Sequence, residues 1–315
     1  MNVIKCAIVG CGKIAGDYDT PESDLIRTHA KSFLKNTNCN LVGVSDIVED
    51  TAKCFSETWG ASFYSTDVDD LLSECKPDLL SICAPTETHF KIFKKACLQG
   101  VSKIWLEKPA TSSIEELEEM IKLAKKYHVD VWVNYFRRYD AGFQKVKDRL
   151  PELGKIQHIQ ATYTKGFRHN GSHLIDLIYW FFEDIKKVKI VDLLPDAEFP
   201  SISGIFYSDP VKIYFTALDY HYFELFEVDI IGSHGRIIIK NGGQQILFQK
   251  VVKSKFYDEY RNLDTYEVHN SSFGMSMKNG LERGINDCFM PGLPQEMNVQ
   301  KTIELCSRKL KTIKL

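Results

Sequence analysis

V-I-K-C-A-I-V-G-C-G-K-I-A, residues 3–15, is the stretch on which the fold turns. Val3 to Val9 form a short apolar run that reads as a strand, and Gly10 and Gly12 follow at once, with Lys13, Ile14 and Ala15 opening a helix. Strand, tight turn and helix in that order begin a dinucleotide-binding unit. The glycines let the backbone approach a pyrophosphate, and the N–H groups that a helix start leaves unpaired can face it. Glycine turns after strands are common, so the surrounding pattern has to decide.

That pattern alternates strand and helix as far as Asn134, the signature of a parallel, doubly wound sheet. Strands are expected at Val3–Val9, Leu41–Ser45, Ala61–Tyr64, Leu79–Cys83, Lys103–Leu106 and Val129–Asn134. L-E-K-P at 106–109 ends one of them, at the sheet edge where open α/β proteins place ligands. After Asn134 the rhythm changes. A helix near Ala141–Leu150 and a strand at Ile156–Thr164 precede a short helix from Ser172 and a run of strands through Val251. H-G at 234–235 and N-G-G at 241–243 mark hairpin turns between them. Helices at Met275–Cys288 and Pro294–Lys309, parted by the breaker M-P-G-L-P, close the chain. The expectation is an α/β dinucleotide-binding domain over residues 1–136 and an α+β domain with an open-faced, mostly antiparallel sheet over 137–315.

The bulk numbers narrow the partners. In 315 residues, 40 basic and 42 acidic side chains give a formal charge of −2 with no long like-charge block, so neither nucleic acid nor an anionic membrane surface is an expected partner. No apolar run approaches a membrane span and no secretory leader is evident, which predicts a cytoplasmic protein. The nine cysteines contain no C-x-x-C pair and are read as reduced packing residues. Cys11, inside the glycine turn, is read the same way.

Six motifs in one order resemble the glucose-fructose oxidoreductase and inositol dehydrogenase family, Gfo/Idh/MocA. They are G-C-G-K-I-A at 10–15, C-A-P-T-E-T-H at 83–89, L-E-K-P at 106–109, R-R-Y at 137–139, H-L-I-D at 173–176 and I-G-S-H-G at 231–235. The resemblance implies a Rossmann domain followed by a sheet that covers the substrate and often builds a homo-oligomer. It also implies an NAD(H)-dependent oxidoreductase acting on a carbinol or ketone of a sugar, sugar derivative or cyclic polyol. Two other readings stay open: tightly held NAD used for transient oxidation in epimerisation, elimination or glycoside cleavage, and a dinucleotide-sensing regulator without chemistry.

Residue by residue, the glycine turn (Gly10, Gly12, Lys13, Ile14, Ala15) and Pro85, Thr86, His89, Glu107 and Lys108 are expected at the cofactor. Asp46 ends the second strand, where a carboxylate bonds the adenosine ribose and repels a 2′-phosphate, favouring NAD over NADP. Residues 17–25 read as an inserted loop that could bring Asp17, Tyr18 and Asp19 to substrate, although a solvated loop is the plainer reading. Lys108, His173 and His169 are the catalytic candidates, with Lys108 and His173 expected to hydrogen-bond the reacting oxygen and one of those two to accept its proton. His173 matches the family histidine and Asp176 its following carboxylate, while His169 stands where relatives carry an acid. If helical, His169 and His173 share a face. Arg138, Arg168 and Asn170 are expected to bind substrate, with Arg137 and Lys165 adding charge. No metal is expected.

Overall fold

The computed structural model describes residues 3–194, 200–286 and 292–312. The chain divides into two compact units, Met1–Tyr139 with Phe273–Met297, and Asp140–Ser272 with Asn298–Leu315. The first break falls three residues from the expected boundary, whereas residues 273–286 and 292–297, expected in the second domain, pack with the first.

The first unit runs β1 (Ile4–Val9), α1 (His29–Leu34), β2 (Cys39–Ser45), α2 (Glu49–Trp59), β3 (Tyr64–Ser65), α3 (Val68–Cys75), β4 (Leu79–Ile82), α4 (Thr86–Leu98), β5 (Lys103–Leu106), α5 (Ile114–Tyr127) and β6 (Asp130–Val133). All its strands are parallel, in the order β3-β2-β1-β4-β5-β6. The chain reverses its winding between β1 and β4, so the loops after those strands flank the crevice that this topology opens at the carboxyl ends. Ser113 caps α5, its hydroxyl accepting from the Glu116 N–H at 3.2 Å.

Trp105 on β5 and Trp132 on β6 are buried and stack 6.0 Å apart. They explain why the later segment returns to this unit. In α8 (Ser276–Ile285) Gly280 lies against the Tyr139 ring and Gly284 against the Trp132 ring, so close that any side chain would collide. The sequence shows a helix there, but the need for two glycines against these rings is a long-range fact.

The second unit runs α6 (Ala141–Arg149), β7 (Ile156–Tyr163), α7 (Gly171–Phe182), β8 (Lys187–Leu194), β9 (Ser201–Ser208), β10 (Val211–Ala217), β11 (Phe226–Gly232), β12 (Gly235–Lys240), β13 (Gln245–Lys253) and β14 (Arg261–Asn270), with most of α9 (Leu293–Thr312). Its sheet order is β14-β13-β12-β11-β7-β10-β9-β8, antiparallel except for β7 beside β10. Burial alternates along β7, β10, β11 and β12, as a sheet with one packed face requires.

β14 was not expected. Its residues are exposed on almost every position, an edge strand whose polar sequence carries no apolar alternation. Cys288 and part of the breaker at 290–294 lie outside the described residues. The described cysteines form no disulfide. Among the described residues, no helix is long and apolar enough to cross a membrane.

Candidate functional site

β1 delivers the chain into Gly10, whose φ of +89° is a conformation that glycine alone adopts without strain. A Cβ there would stand 2.5 Å from the Ala84 nitrogen, so the turn after β1 lies directly against the loop after β4. Gly12, two residues on, is the opposite case: it is exposed and nothing lies within 4 Å of where its Cβ would be. Asp46 braces this turn from the end of β2. Its Oδ2 accepts the Cys11 N–H at 2.9 Å and its Oδ1 the Val48 N–H at 3.0 Å, while the residue stays half-buried. Burial, with Asp46 and Asp17 nearby, pushes the Cys11 thiol up, which suits a packing residue. An open glycine backbone beside a half-exposed carboxylate fits a dinucleotide.

The helix behind the turn is a single π turn, Lys13–Asp17. Gly16 lets it sit on the Phe55 and Trp59 rings, a close approach that the sequence reading missed although the glycine stands in plain view. The inserted loop is stitched inward. Asp19, its side chain fully buried, accepts from the Arg27 N–H at 2.7 Å and the Thr28 hydroxyl at 2.9 Å, and buried Lys31 donates to the carbonyls of Thr20 and Pro21. Burial lowers the Lys31 pKa. The solvated-loop reading therefore fails for Asp19, and the alternative of a reach to substrate fails for it too; Asp17 and Tyr18 remain exposed.

Pro85 and Thr86 leave β4 at the start of α4, Pro85 exposed and Thr86 half-buried. His89 corrects its expected cofactor contact. It is buried, with Nε2 2.7 Å from the Ala84 carbonyl oxygen and Nδ1 3.2 Å from those of Pro109 and Ala110. Its ring thus links the loop after β4 to the turn after β5 and leaves no nitrogen for a ligand. Burial lowers its pKa, only partly offset by the carbonyl contacts.

Lys108 is half-buried and the Lys108–Pro109 peptide is cis. Glu107 also corrects an expectation, because its carboxylate points into the unit instead of outward to a cofactor. Oε1 lies 3.0 Å from His29 Nε2 and accepts from Asn134 Nδ2 at 2.5 Å, and Oε2 accepts the Lys108 N–H at 3.3 Å. Behind it His29 Nδ1 meets the Ser81 hydroxyl at 3.0 Å, and the ring packs on Trp105 at 4.0 Å. Burial pushes the Glu107 carboxyl up, but the bonds from His29 and Asn134 and the charge of Lys108 outweigh it and hold it below its usual value. A further carboxylate, Glu296, accepts the Ala110 N–H at 3.1 Å and the Tyr135 hydroxyl at 2.6 Å. Sequence reasoning missed His29, Asn134 and Glu296; a histidine heading a helix and a carboxylate in an amphipathic one carry no local mark of burial. Arg137 and Arg138 are both buried in the turn Phe136–Tyr139, which removes the surface reading for them.

In the second unit, Lys165 leaves β7 at φ +64° and its ammonium meets Glu224 at 2.7 Å. A π turn, Gly166–Asn170, carries Arg168, His169 and Asn170, and α7 follows with His173 and Asp176 in its first turns. Arg168 and His169 are exposed, with His169 Nδ1 3.3 Å from Asn170 Oδ1, whereas His173 and Asp176 are buried at 4% and 1% exposure. The expected shared face assumed one uniform helix. The change of pitch at residue 171 removes that assumption, and the two histidines meet different surroundings.

Six parallel strands wound in this order, with a glycine turn and an acidic strand end at the switch point, define a dinucleotide-binding α/β unit. Residues 4–135 match the profile of the oxidoreductase family with NAD-binding Rossmann fold, GFO_IDH_MocA. It is 29% identical over 216 residues to scyllo-inositol 2-dehydrogenase (NAD(+)) of Bacillus subtilis (strain 168), a match covering 64% of this chain and 56% of that protein. The chain spans about half the length of the curated relatives it matches, from 41% to 56% for the first two. Among solved structures, a dehydrogenase from Chromobacterium violaceum superimposes with a TM-score of 0.79 at 16% identity, covering 98% of this chain and 95% of that one. The scyllo-inositol dehydrogenase of Lactobacillus casei, with bound NAD(H) and scyllo-inositol, gives 0.71 at 17% identity, covering 96% and 95%. At such identities these two speak for the fold.

Proposed function

We propose that the protein is an NAD(H)-dependent oxidoreductase that moves a hydride between the nicotinamide and a carbinol or ketone of a sugar, sugar derivative or cyclic polyol. The observation that carries this reading is the placement of Lys108. It stands at the carboxyl end of β5, one strand from the β1/β4 switch point, in a turn whose neighbours are held by His89, Glu107 and Glu296. Gly10, Gly12 and Asp46 would hold NAD, which would supply the hydride acceptor when bound. Lys13, Ile14 and Ala15 continue that cradle, and Pro85 and Thr86 support the nicotinamide end. Lys108 takes the hydroxyl proton in oxidation and returns it in reduction. His173 hydrogen-bonds the substrate oxygen, oriented by Asp176, and Arg168, Asn170 and Arg138 contribute to substrate binding. The inositol relatives support a polyol. We also propose a homo-oligomer through the second unit's sheet, where Leu263, Tyr266 and Val268 of the edge strand are exposed. A panel of inositols, sugars and sugar acids, followed by NADH formation, tests the activity. Failure of every polyol and sugar, with NAD bound, would overturn the substrate assignment.

A further inference from the structure

The buried polar cluster behind Lys108 has no place in a simple cofactor cradle. Glu107 is 9% exposed and its carboxylate is shared between a histidine from α1, the amide of Asn134 at the end of β6, and the main chain of Lys108. His29 is fully buried and engaged at both ring nitrogens, to Glu107 and to Ser81 on β4. A buried carboxylate without such donors would be strongly disfavoured, so each of these bonds is needed to keep it ionised there.

We infer that Glu107 is a positioning residue for Lys108, and that His29 is the residue that locks Glu107 in place. Two effects follow from its geometry. The Lys108 N–H pointing at Oε2 fixes the direction in which the lysine leaves the strand end. The fixed negative charge one residue away stabilises the ammonium form of Lys108 and so sets the pH at which that group exchanges its proton. The other titratable groups facing Glu107 are His29 from α1, His89 from α4 and Cys83 at the end of β4. Burial favours the uncharged forms of His89 and Cys83, which leaves Lys108 as the positive neighbour of the carboxylate and His29 as its hydrogen-bonding partner. This inference rests on the reading of Lys108 as the acid–base group.

The test compares the parent with Glu107→Gln, which keeps the size and one acceptor oxygen for His29 and Asn134 but removes the charge and the acceptor for the Lys108 N–H, and with His29→Gln. If Glu107 acts through Lys108, the acidic limb of kcat/KM for oxidation moves to lower pH by about one unit in Glu107→Gln, the scale set by loss of a neighbouring charge. In the same variant kcat falls by about ten-fold or more while NAD affinity and substrate KM stay within about three-fold. A merely structural role lowers melting temperature and activity together and leaves the limb where it was. That outcome, or a loss of NAD affinity showing that Glu107 is a cofactor ligand, overturns the inference. His29→Gln should reproduce the loss of kcat with NAD affinity intact; normal kcat would remove His29 from the account. Failure of the functional reading is separable from this, because Lys108 can be titrated without substrate. NMR of ¹³C-methylated lysines, with Lys108 assigned through Lys108→Met, should show its pKa lowered in Glu107→Gln. An unchanged Lys108 titration overturns the inference whether or not a substrate has been found.

Discussion

Replacing Gly12 with alanine should separate ligand binding from folding, and replacing Gly10 should do the reverse. At Gly12 the backbone sits at φ −92° and ψ −161° and a Cβ meets nothing within 4 Å. Gly12→Ala should therefore leave the stability of the free protein within about 0.5 kcal/mol of the parent, or raise it by up to about 1 kcal/mol by restricting the unfolded chain. The added methyl stands where a pyrophosphate has to approach, and a ten-fold loss of NAD affinity is about 1.4 kcal/mol. At NAD concentrations about 100 times the parent Kd, the stabilisation drops from about 2.7 to about 1.4 kcal/mol. At about 2–4 °C per kcal/mol, the NAD-induced rise in Tm falls from about 5–11 °C to about 3–6 °C. Gly10→Ala meets a positive φ and the Ala84 main chain at 2.5 Å. Left-handed strain of about 1–2 kcal/mol plus displacement of the neighbouring loop makes about 3 kcal/mol or more, so the free protein melts at least about 6 °C lower. Thermal unfolding with and without NAD, backed by calorimetric titration, reads both variants. Parent-like NAD binding by Gly12→Ala, or parent-like stability of Gly10→Ala, would refute the assignment of the two glycines.

Three more expectations follow from the same geometry. Asp46→Ser should narrow a preference for NAD over NADP, measured by calorimetric titration of both nucleotides; a parent that binds NADP as tightly as NAD removes the role of the carboxylate. His89 has a folded pKa below its unfolded value, so its contribution is fully present above the unfolded pKa, near 6.5, and is lost as pH falls through that value toward the folded one. Tm of the parent should drop over that window more steeply than Tm of His89→Gln, and parallel curves would show that His89 does not titrate with folding. His173→Asn should lower kcat by about 10²-fold, whereas exposed His169→Ala should stay within about three-fold; equal losses would restore the paired-histidine reading.

The parts of the fold that local pattern encodes were readable. β1, β4 and β5 are short, mostly apolar runs, and Gly10 announces its turn because its positive φ gives glycine a backbone reason there. Lys108 could be singled out because a strand end fixes where a side chain emerges. What escaped depends on distant partners. His29 and Glu107 are 78 residues apart and Tyr135 and Glu296 are 161 apart, and nothing in either local sequence says that the pairs meet. Glu107 and His89 were placed at the cofactor because they flank the right strand ends, yet their polar atoms turn inward to satisfy buried donors and carbonyls. β14 escaped for the opposite reason, since an exposed edge strand has no core face to impose a period on its sequence.

The central claim is that Lys108 carries the proton of an NAD-dependent oxidation, and the most direct measurement is turnover and NAD affinity of Lys108→Met beside the parent, on whichever polyol or sugar the panel identifies. The account predicts NAD affinity within a few-fold of the parent and turnover lowered by about 10²-fold or more. Full turnover by Lys108→Met would contradict it.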